Sequence, residues 1–173
     1  MEYEHIVHSF EPVYDKASEI LILGTLPSVK SRENNFYYGH KQNRFWKVLA
    51  TLLKEPVPHT IEEKKAMLLA HRIALWDVIQ SCDIKGSSDS SIKNVQPTDI
   101  GMILEKTNMT QIYANGNKAG QIEIEIPKKA VESIAKDTEA DLVIKTDIGQ
   151  VTLDNKTLET IVAVSYTHLT LPT

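Results

Sequence analysis

Three apolar runs of strand length recur along the chain with helix-patterned sequence between them, and that alternation restricts the fold more than any other feature. The first run, "SEILILGTLPS", is ended by Gly24 and Pro27. "RFWKVLATLLK" then places Phe45, Val48, Leu49, Leu52 and Leu53 at helical spacing, which predicts an α-helix with that face on the core. "TIEEKKAMLLAH" opens with Thr60 and Glu63 in capping-box spacing and predicts a second helix, after which "RIALWDVI" reads as a second buried strand. "QSCDIKGSSDSSIKN" reads as a polar loop, "PTDIGMILEK" as a helix with a Pro-Thr-Asp start, and "TQIYANG" as a third short strand closed by Gly116. Strands separated by helices form a parallel sheet with helices on its faces, and ligands bind such sheets at the carboxyl ends of the strands.

The 173 residues, 42% of them hydrophobic, suffice for one real core. The net charge of -4 points to no nucleic-acid partner by itself, yet it conceals an uneven distribution. Residues 1–119 carry 14 Lys and Arg against 14 Asp and Glu, and residues 120–173 carry 5 against 9. Ten of the eleven Phe, Trp and Tyr also lie before residue 120, so two compositions are joined near that point. Cys82 stands alone, which excludes an internal disulfide and a cysteine-rich zinc site; a buried thiol in a reducing compartment is expected. No run approaches the roughly 18 apolar residues of a membrane-spanning helix. "MEYEHIVHSF" lacks the basic start and apolar centre of a signal peptide, so residues 1–119 are expected in the cytoplasm.

The unusual residues sit at the predicted strand ends. "FYYGHKQNRFW" gathers aromatic rings, a histidine and two amides without a carboxylate. Between positions 30 and 47, Lys30, Arg32, Lys41, Arg44 and Lys47 face only Glu33. Cations beside exposed rings suit a nucleic-acid strand, with phosphates on the former and bases on the latter; a solvated loop with an aromatic cluster at a helix start is the competing reading.

"GTLPSVKSRENNFYYGHKQNRFWKVL" resembles the first motif of the uracil-DNA glycosylase superfamily, without gaps over its whole length. Leu26 at the third position of the turn is similar to the hypoxanthine-DNA (deoxyinosine) glycosylase branch, as are "IALWDVIQSCDIKGSSDSSIKNV" and "IYANGNKA". The resemblance implies a three-layer αβα fold with a central parallel sheet, C-terminally truncated and carrying an α+β tail. It also implies hydrolysis of the N-glycosidic bond of a flipped, deaminated base in base excision repair.

Site residues follow from the same resemblance. Asn43 would hold the attacking water, with a helix N-cap as its alternative role. Tyr38 would stack on the extruded base, with Phe36 beside it, in a pocket completed by Gly24, Thr25, Pro27 and His40. His40 would orient the loop, touch the base or simply pack. Asp77, ending the second strand, would accept a base N–H, or else serve as an ordinary cap. DNA would meet Ser28, Arg32 and Arg44, the hydroxyls of Ser87, Ser88 and Ser90, and Asn115 and Lys118 after the third strand; for the serines, a plain linker is the competing reading. No cofactor is implied, the scattered histidines lack metal-ligand spacing, and a monomer acting on DNA away from membranes is expected.

The resemblance stops past "NGNKA", so residues 1–119 are read as the N-terminal part of a glycosylase-like domain. The family continues with a helix, a fourth strand and a phosphate-clamping motif of the kind L-P-S-T-S-P-A, whose absence predicts impaired activity. Residues 120–163 instead alternate strictly, then suggest a helix from Pro127, strands at "DLVIKT" and "QVTL", and a short helix capped by Asp154. They resemble β-rich repeats of bacterial surface-layer proteins. Residues 164–173, "VSYTHLTLPT", are similar to a peptide produced when sequencing-adapter DNA is read as coding sequence. A DNA-binding remnant without catalysis, or a structural module, is thus the alternative to an enzyme.

Overall fold

The computed structural model describes residues 2–115 and, beyond them, the backbone of four further strands. In chain order the elements are β1 (Glu4–Val7), β2 (Ile20–Gly24), α1 (Val29–Asn34), α2 (Phe45–Leu53), α3 (Ile61–Ala70), β3 (Ile73–Asp77), β4 (Ile79–Ile84), β5 (Lys93–Pro97), α4 (Gly101–Leu104), β6 (Gln111–Ala114), β7 (Ile124–Glu125), β8 (Leu142–Thr146), β9 (Gly149–Leu153) and β10 (His168–Leu169).

β2 lies inside a five-stranded sheet of order β3-β2-β6-β8-β9. β3, β2, β6 and β8 run parallel, and β9 closes the edge antiparallel to β8. As an interior strand of a parallel sheet, β2 is apolar at every position before Gly24. Leu21 and Leu23 are fully buried, while Ile20 and Ile22, on the other face, are partly covered. The register sets Leu23 beside Trp76 and Ala114, and Gly24 beside Asp77. The α/β class and the parallel arrangement of the three leading strands agree with the sequence reading. "DLVIKT" and "QVTL" coincide with β8 and β9, and β8 joins the same sheet through β6, past the compositional change near residue 119. The expected helices from Pro127 and at Asp154 lie outside the described residues.

Two expectations are corrected. The stretch read as a polar loop contains β4 and β5, which with β1 form an antiparallel sheet of order β1-β4-β5. Its polar residues conceal an inward set, Ile79, Cys82, Ile84 and Ile92, all buried. The serine-rich segment is only the tip of that hairpin. The second correction concerns α2. Its buried residues are Trp46, Leu49 and Ala50, whereas Val48 and Leu52 are 53% and 73% exposed. Trp46 turns the helix: its indole N–H donates to the Tyr37 carbonyl at 3.2 Å and its ring stacks on Phe36.

α3 begins as its sequence predicts. Thr60 Oγ1 accepts from the Glu63 N–H at 3.1 Å, and Glu63 Oε2 accepts from the Thr60 N–H at 3.2 Å. The Pro-Thr-Asp segment forms only the short helix α4, because Pro97 still belongs to β5, an edge strand where its missing N–H is harmless. Among the described residues no helix is long and apolar enough to cross a membrane.

The central strand gives a direct test of this packing. Leu21 has no exposed surface and stands between two strands, so Leu21→Ala is expected to lower the unfolding free energy by about 3 kcal/mol, read from urea denaturation.

Candidate functional site

The chain leaves β2 through Gly24, Thr25, Leu26 and Pro27 into Ser28, which caps α1. Ser28 Oγ accepts from the Ser31 N–H at 3.2 Å. Asn35, at φ 50°, ends the helix in a left-handed turn, and Tyr38, at φ 52°, reverses the chain again. These reversals sort the rings. Phe36 and Tyr37 are buried, and the Tyr37 hydroxyl donates to the Glu11 carbonyl at 2.8 Å. Tyr38 turns the other way and stacks on Phe45, with centroids 3.9 Å apart and planes 17° from parallel.

At the end of β3, Asp77 is 4% exposed. Its Oδ2 lies 2.7 Å from His8 Nε2, and His8 is buried as well. A Cβ on Gly24 would collide with Asp77 Oδ1 and stand 3.0 Å from the Tyr38 hydroxyl, so only glycine fits between the carboxylate and the phenol. Asn115, just past β6, donates from Nδ2 to the Tyr38 hydroxyl at 2.9 Å, and its backbone N–H donates to the Leu23 carbonyl at 2.7 Å. The three strand ends thus converge on one cluster of Gly24, Asp77, Tyr38 and Asn115, with His8 behind it.

Burial governs the charges here. Desolvation raises the Asp77 pKa, and the hydrogen bond and charge of His8 oppose that rise. Tyr37 and Tyr38 are pushed far above the ordinary phenol value, first by burial and then by the negative charge of Asp77, and both stay neutral. Among the described residues the side-chain hydrogen bond of Asp77 is to His8 rather than to a backbone N–H at a helix or turn start.

Asn43 is exposed, and its Oδ1 accepts from the Phe45 N–H at 2.9 Å, the geometry of a cap at the start of α2. It shares with Tyr38, Phe45 and Asn115 the lining of an open groove of about 810 Å³, whose floor is Ile22 and Tyr113. Arg44 opens onto the same groove. Thr25 and Pro27 continue the turn, where the Thr25 carbonyl accepts from the Ile79 N–H at 3.2 Å. Arg32 donates to the Pro27 carbonyl at 3.0 Å, and Ser28 and Arg32 share a small cleft with Ser87. The hairpin tip is tied by Ser88 and Ser90, whose hydroxyls are 2.9 Å apart.

His40 stands apart. It is exposed, its Nδ1 accepts from the Gln42 N–H at 3.1 Å, and it lines a different depression with Lys41 and Gly39. Phe36 lies in the core against Trp46 rather than on the groove. Lys118 lies outside the described residues. Among the described residues no group of three or more His, Cys, Asp or Glu could hold a metal ion.

His8 is the residue that sequence reasoning missed. A signal was present: Ile6 and His8 share one face of the β1 alternation, and Ile6 packs against the core, so His8 had to point inward as well.

A parallel α/β sheet brings one glycine, one buried carboxylate and one stacked tyrosine together at the carboxyl ends of its strands, the edge at which α/β sheets bind ligands. Residues 11–168 match the Uracil DNA glycosylase superfamily, and the chain belongs to that family. The chain is 38% identical over 120 residues to a hypoxanthine DNA glycosylase of Methanosarcina acetivorans, covering 68% of this chain and 76% of the relative. It is 33% identical over 116 residues to a hypoxanthine DNA glycosylase of Methanosarcina barkeri, covering 66% and 73%. It is also similar to a candidate uracil DNA glycosylase from Methanosarcina acetivorans solved by solution NMR. That likeness has a TM-score of 0.59 at 37% identity, over 64% of this chain and 70% of the other.

The buried carboxylate has a consequence for stability. Because the folded-state pKa of Asp77 is raised, the stability linked to its protonated form is present below about pH 4 and is lost as pH climbs through the raised value. Asp77→Asn removes that dependence. At neutral pH the variant is expected to melt at a higher temperature than the wild type, with the difference closing on acidification, as thermal melts across a pH series would show.

Proposed function

We propose that this protein hydrolyses the N-glycosidic bond of hypoxanthine in DNA, releasing the free base and leaving an abasic sugar. Both curated relatives are named hypoxanthine DNA glycosylases, and each aligns over about two thirds of this chain. The observation that carries the reading is the Asp77 carboxylate, held buried beside Gly24 and Tyr38 at the strand ends. An acceptor so placed takes a ring N–H, which deaminated bases carry.

In the reaction the bond between C1′ and the base nitrogen breaks, its electron pair departs with the base, and water adds to the oxocarbenium-like sugar. The base leaves the duplex and stacks on Tyr38, which lines the groove and is itself stacked on Phe45. Asp77 accepts the ring N–H of the base. Gly24, Thr25 and Pro27 let the backbone come close to it. Asn43 holds the attacking water: its Oδ1 is oriented by the Phe45 N–H, and a second lone pair and two amide protons remain for water.

Phosphates are met by Ser28, Arg32 and Arg44, by Ser87, Ser88 and Ser90 at the hairpin tip, and by Asn115 and Lys118. His40 shapes the loop through its contact with Gln42. Water is the nucleophile and fixed dipoles meet the developing charges, so the step needs neither metal nor cofactor. A monomer acting in the cytoplasm on DNA with a deaminated base completes the reading.

Asn43→Ala is expected to lower single-turnover release of hypoxanthine from a deoxyinosine oligonucleotide by about a hundredfold or more. Wild-type release by a folded variant would overturn the role of Asn43. No release by the folded wild-type chain would overturn the activity itself.

A further inference from the structure

One buried titratable side chain, His8, has no part in that chemistry. Its position is nonetheless heavily determined. The His8 backbone N–H donates to the Gln80 carbonyl at 2.8 Å, extending the pairing of β1 with β4. Its ring meets Phe10 edge-on with centroids 4.7 Å apart and lies 6.1 Å from Tyr37. Held on these sides, the imidazole has one polar neighbour among the described residues, Asp77 Oδ2 at 2.7 Å.

We propose that His8 is a positioning residue that keeps Asp77 a hydrogen-bond acceptor, so that the pocket selects bases with a ring N–H and rejects those with a bare ring nitrogen at that edge. The inference rests on the reading of Asp77 as the group that contacts the base.

The two carboxylate oxygens have different surroundings. Oδ2 lies 2.7 Å from His8 Nε2, and an imidazole that carries its proton on Nε2 donates to this oxygen and opposes a proton there. Oδ1 faces the Gly24 backbone on the side of the Tyr38 hydroxyl, where any side chain in place of glycine would obstruct it. One oxygen is therefore engaged by His8, and the other lies against Gly24 at the strand ends. Without His8, a carboxyl buried this deeply takes up a proton, and a protonated acid can turn its O–H toward a ligand.

That difference bears on deamination. Adenine and cytosine carry a bare nitrogen at the pairing edge, and their deaminated products hypoxanthine and uracil carry an N–H there. A fixed acceptor favours the N–H and sets two lone pairs against each other when the base is not deaminated. A protonated Asp77 would lose or invert that preference. Sites built around one such hydrogen bond reject the mismatched partner strongly, because a buried polar group is left unpaired.

Among the described residues, the titratable groups facing Asp77 are His8 from the end of β1 and Tyr37 and Tyr38 from the loop after α1. Both tyrosines remain neutral over the working range, so His8 is the partner able to hold the carboxylate ionised.

The test uses the full chain and deoxyinosine, 1-methyl-deoxyinosine and deoxyadenosine oligonucleotides, with kcat/KM followed across pH for the wild type, His8→Phe, His8→Gln and Asp77→Ala. His8→Phe is expected to move the acid limb of the profile upward by about one pH unit or more. It should also shrink the preference for hypoxanthine over adenine and 1-methylhypoxanthine by about tenfold or more. His8→Gln, whose amide still donates from a similar reach, should recover most of the preference with a smaller shift. A His8→Phe enzyme with wild-type profile and preference, alongside an inactive Asp77→Ala, overturns the role of His8 alone. An Asp77→Ala enzyme with wild-type rate and preference overturns the base-contact reading beneath it. If His8→Phe does not fold, His8→Asn, too short to reach Oδ2, takes its place with the same expectation. Failure of both to fold assigns His8 to the scaffold and ends the proposal.

Discussion

The structure depends on β2 being hydrogen-bonded on both sides by parallel partners. β3 and β6 pair with it over nearly its full length, so the three strands end level with one another. Gly24, Asp77 and Asn115 are then neighbours by register alone, although they lie far apart in the chain. Backbone bonds continue the alignment beyond the strands, with the Val78 N–H on the Gly24 carbonyl at 2.8 Å and the Asn115 N–H on the Leu23 carbonyl at 2.7 Å. The site is thus built on strands held by backbone bonds on both sides of β2, and the loop carrying the aromatic rings folds onto their ends.

Placing a carboxylate there is costly, and the surrounding residues limit the cost. Asp77 is buried with a side-chain hydrogen bond shared with His8, and the two phenols beside it stay protonated. The Asp77–His8 pair sets a carboxyl and an imidazole side by side, where burial raises the Asp77 pKa and the hydrogen bond and charge of His8 oppose the rise. This matters for catalysis as well as stability. A departing base gathers negative charge as its bond to the sugar breaks, and an unshared carboxylate beside it would oppose the reaction. On the reading proposed above, drawing Oδ2 toward His8 would move charge away from the oxygen turned to the base, so one pair would serve recognition and moderate the electrostatic penalty.

Sequence carried the parallel strands, the capping box of α3 and the turn after β2, because each rests on local chemistry: an apolar run, a Thr–Glu spacing, a Gly–Pro pair. It did not carry β4 and β5, whose inward residues are separated by serines, lysines and aspartates that also suit a loop. The face of α2 was misjudged for a tertiary reason. Periodicity favours the leucine stripe, and the Trp46 bond to the Tyr37 carbonyl turns the helix by one position. At the site, Asp77, Tyr38 and Asn115 were legible as strand-end residues. The departure of Phe36 and His40 from the groove was not, since it follows from left-handed turns at Asn35, a residue type that favours them only modestly, and at Tyr38, a type that gives no such signal.

The abundance of rings in "FYYGHKQNRFW" has a divided explanation. Phe36, stacked on Trp46 and edge-on to Tyr37, forms with them a buried cluster that anchors the loop to the core, while Tyr38 and Phe45 form a stack lining the groove. Phe45 connects the two halves of the chemistry. Its ring supports Tyr38, on which the base would lie, and its backbone N–H fixes the Asn43 oxygen, which would hold the water. The helix-capping and catalytic readings of Asn43 are therefore compatible. A cap engages one lone pair of the amide oxygen and restrains the side chain, and restraint is what a water-positioning group requires. Because stacking platform and amide share one residue at the start of α2, a displacement of that helix would move base and water together, preserving the distance between them while altering their approach to the sugar.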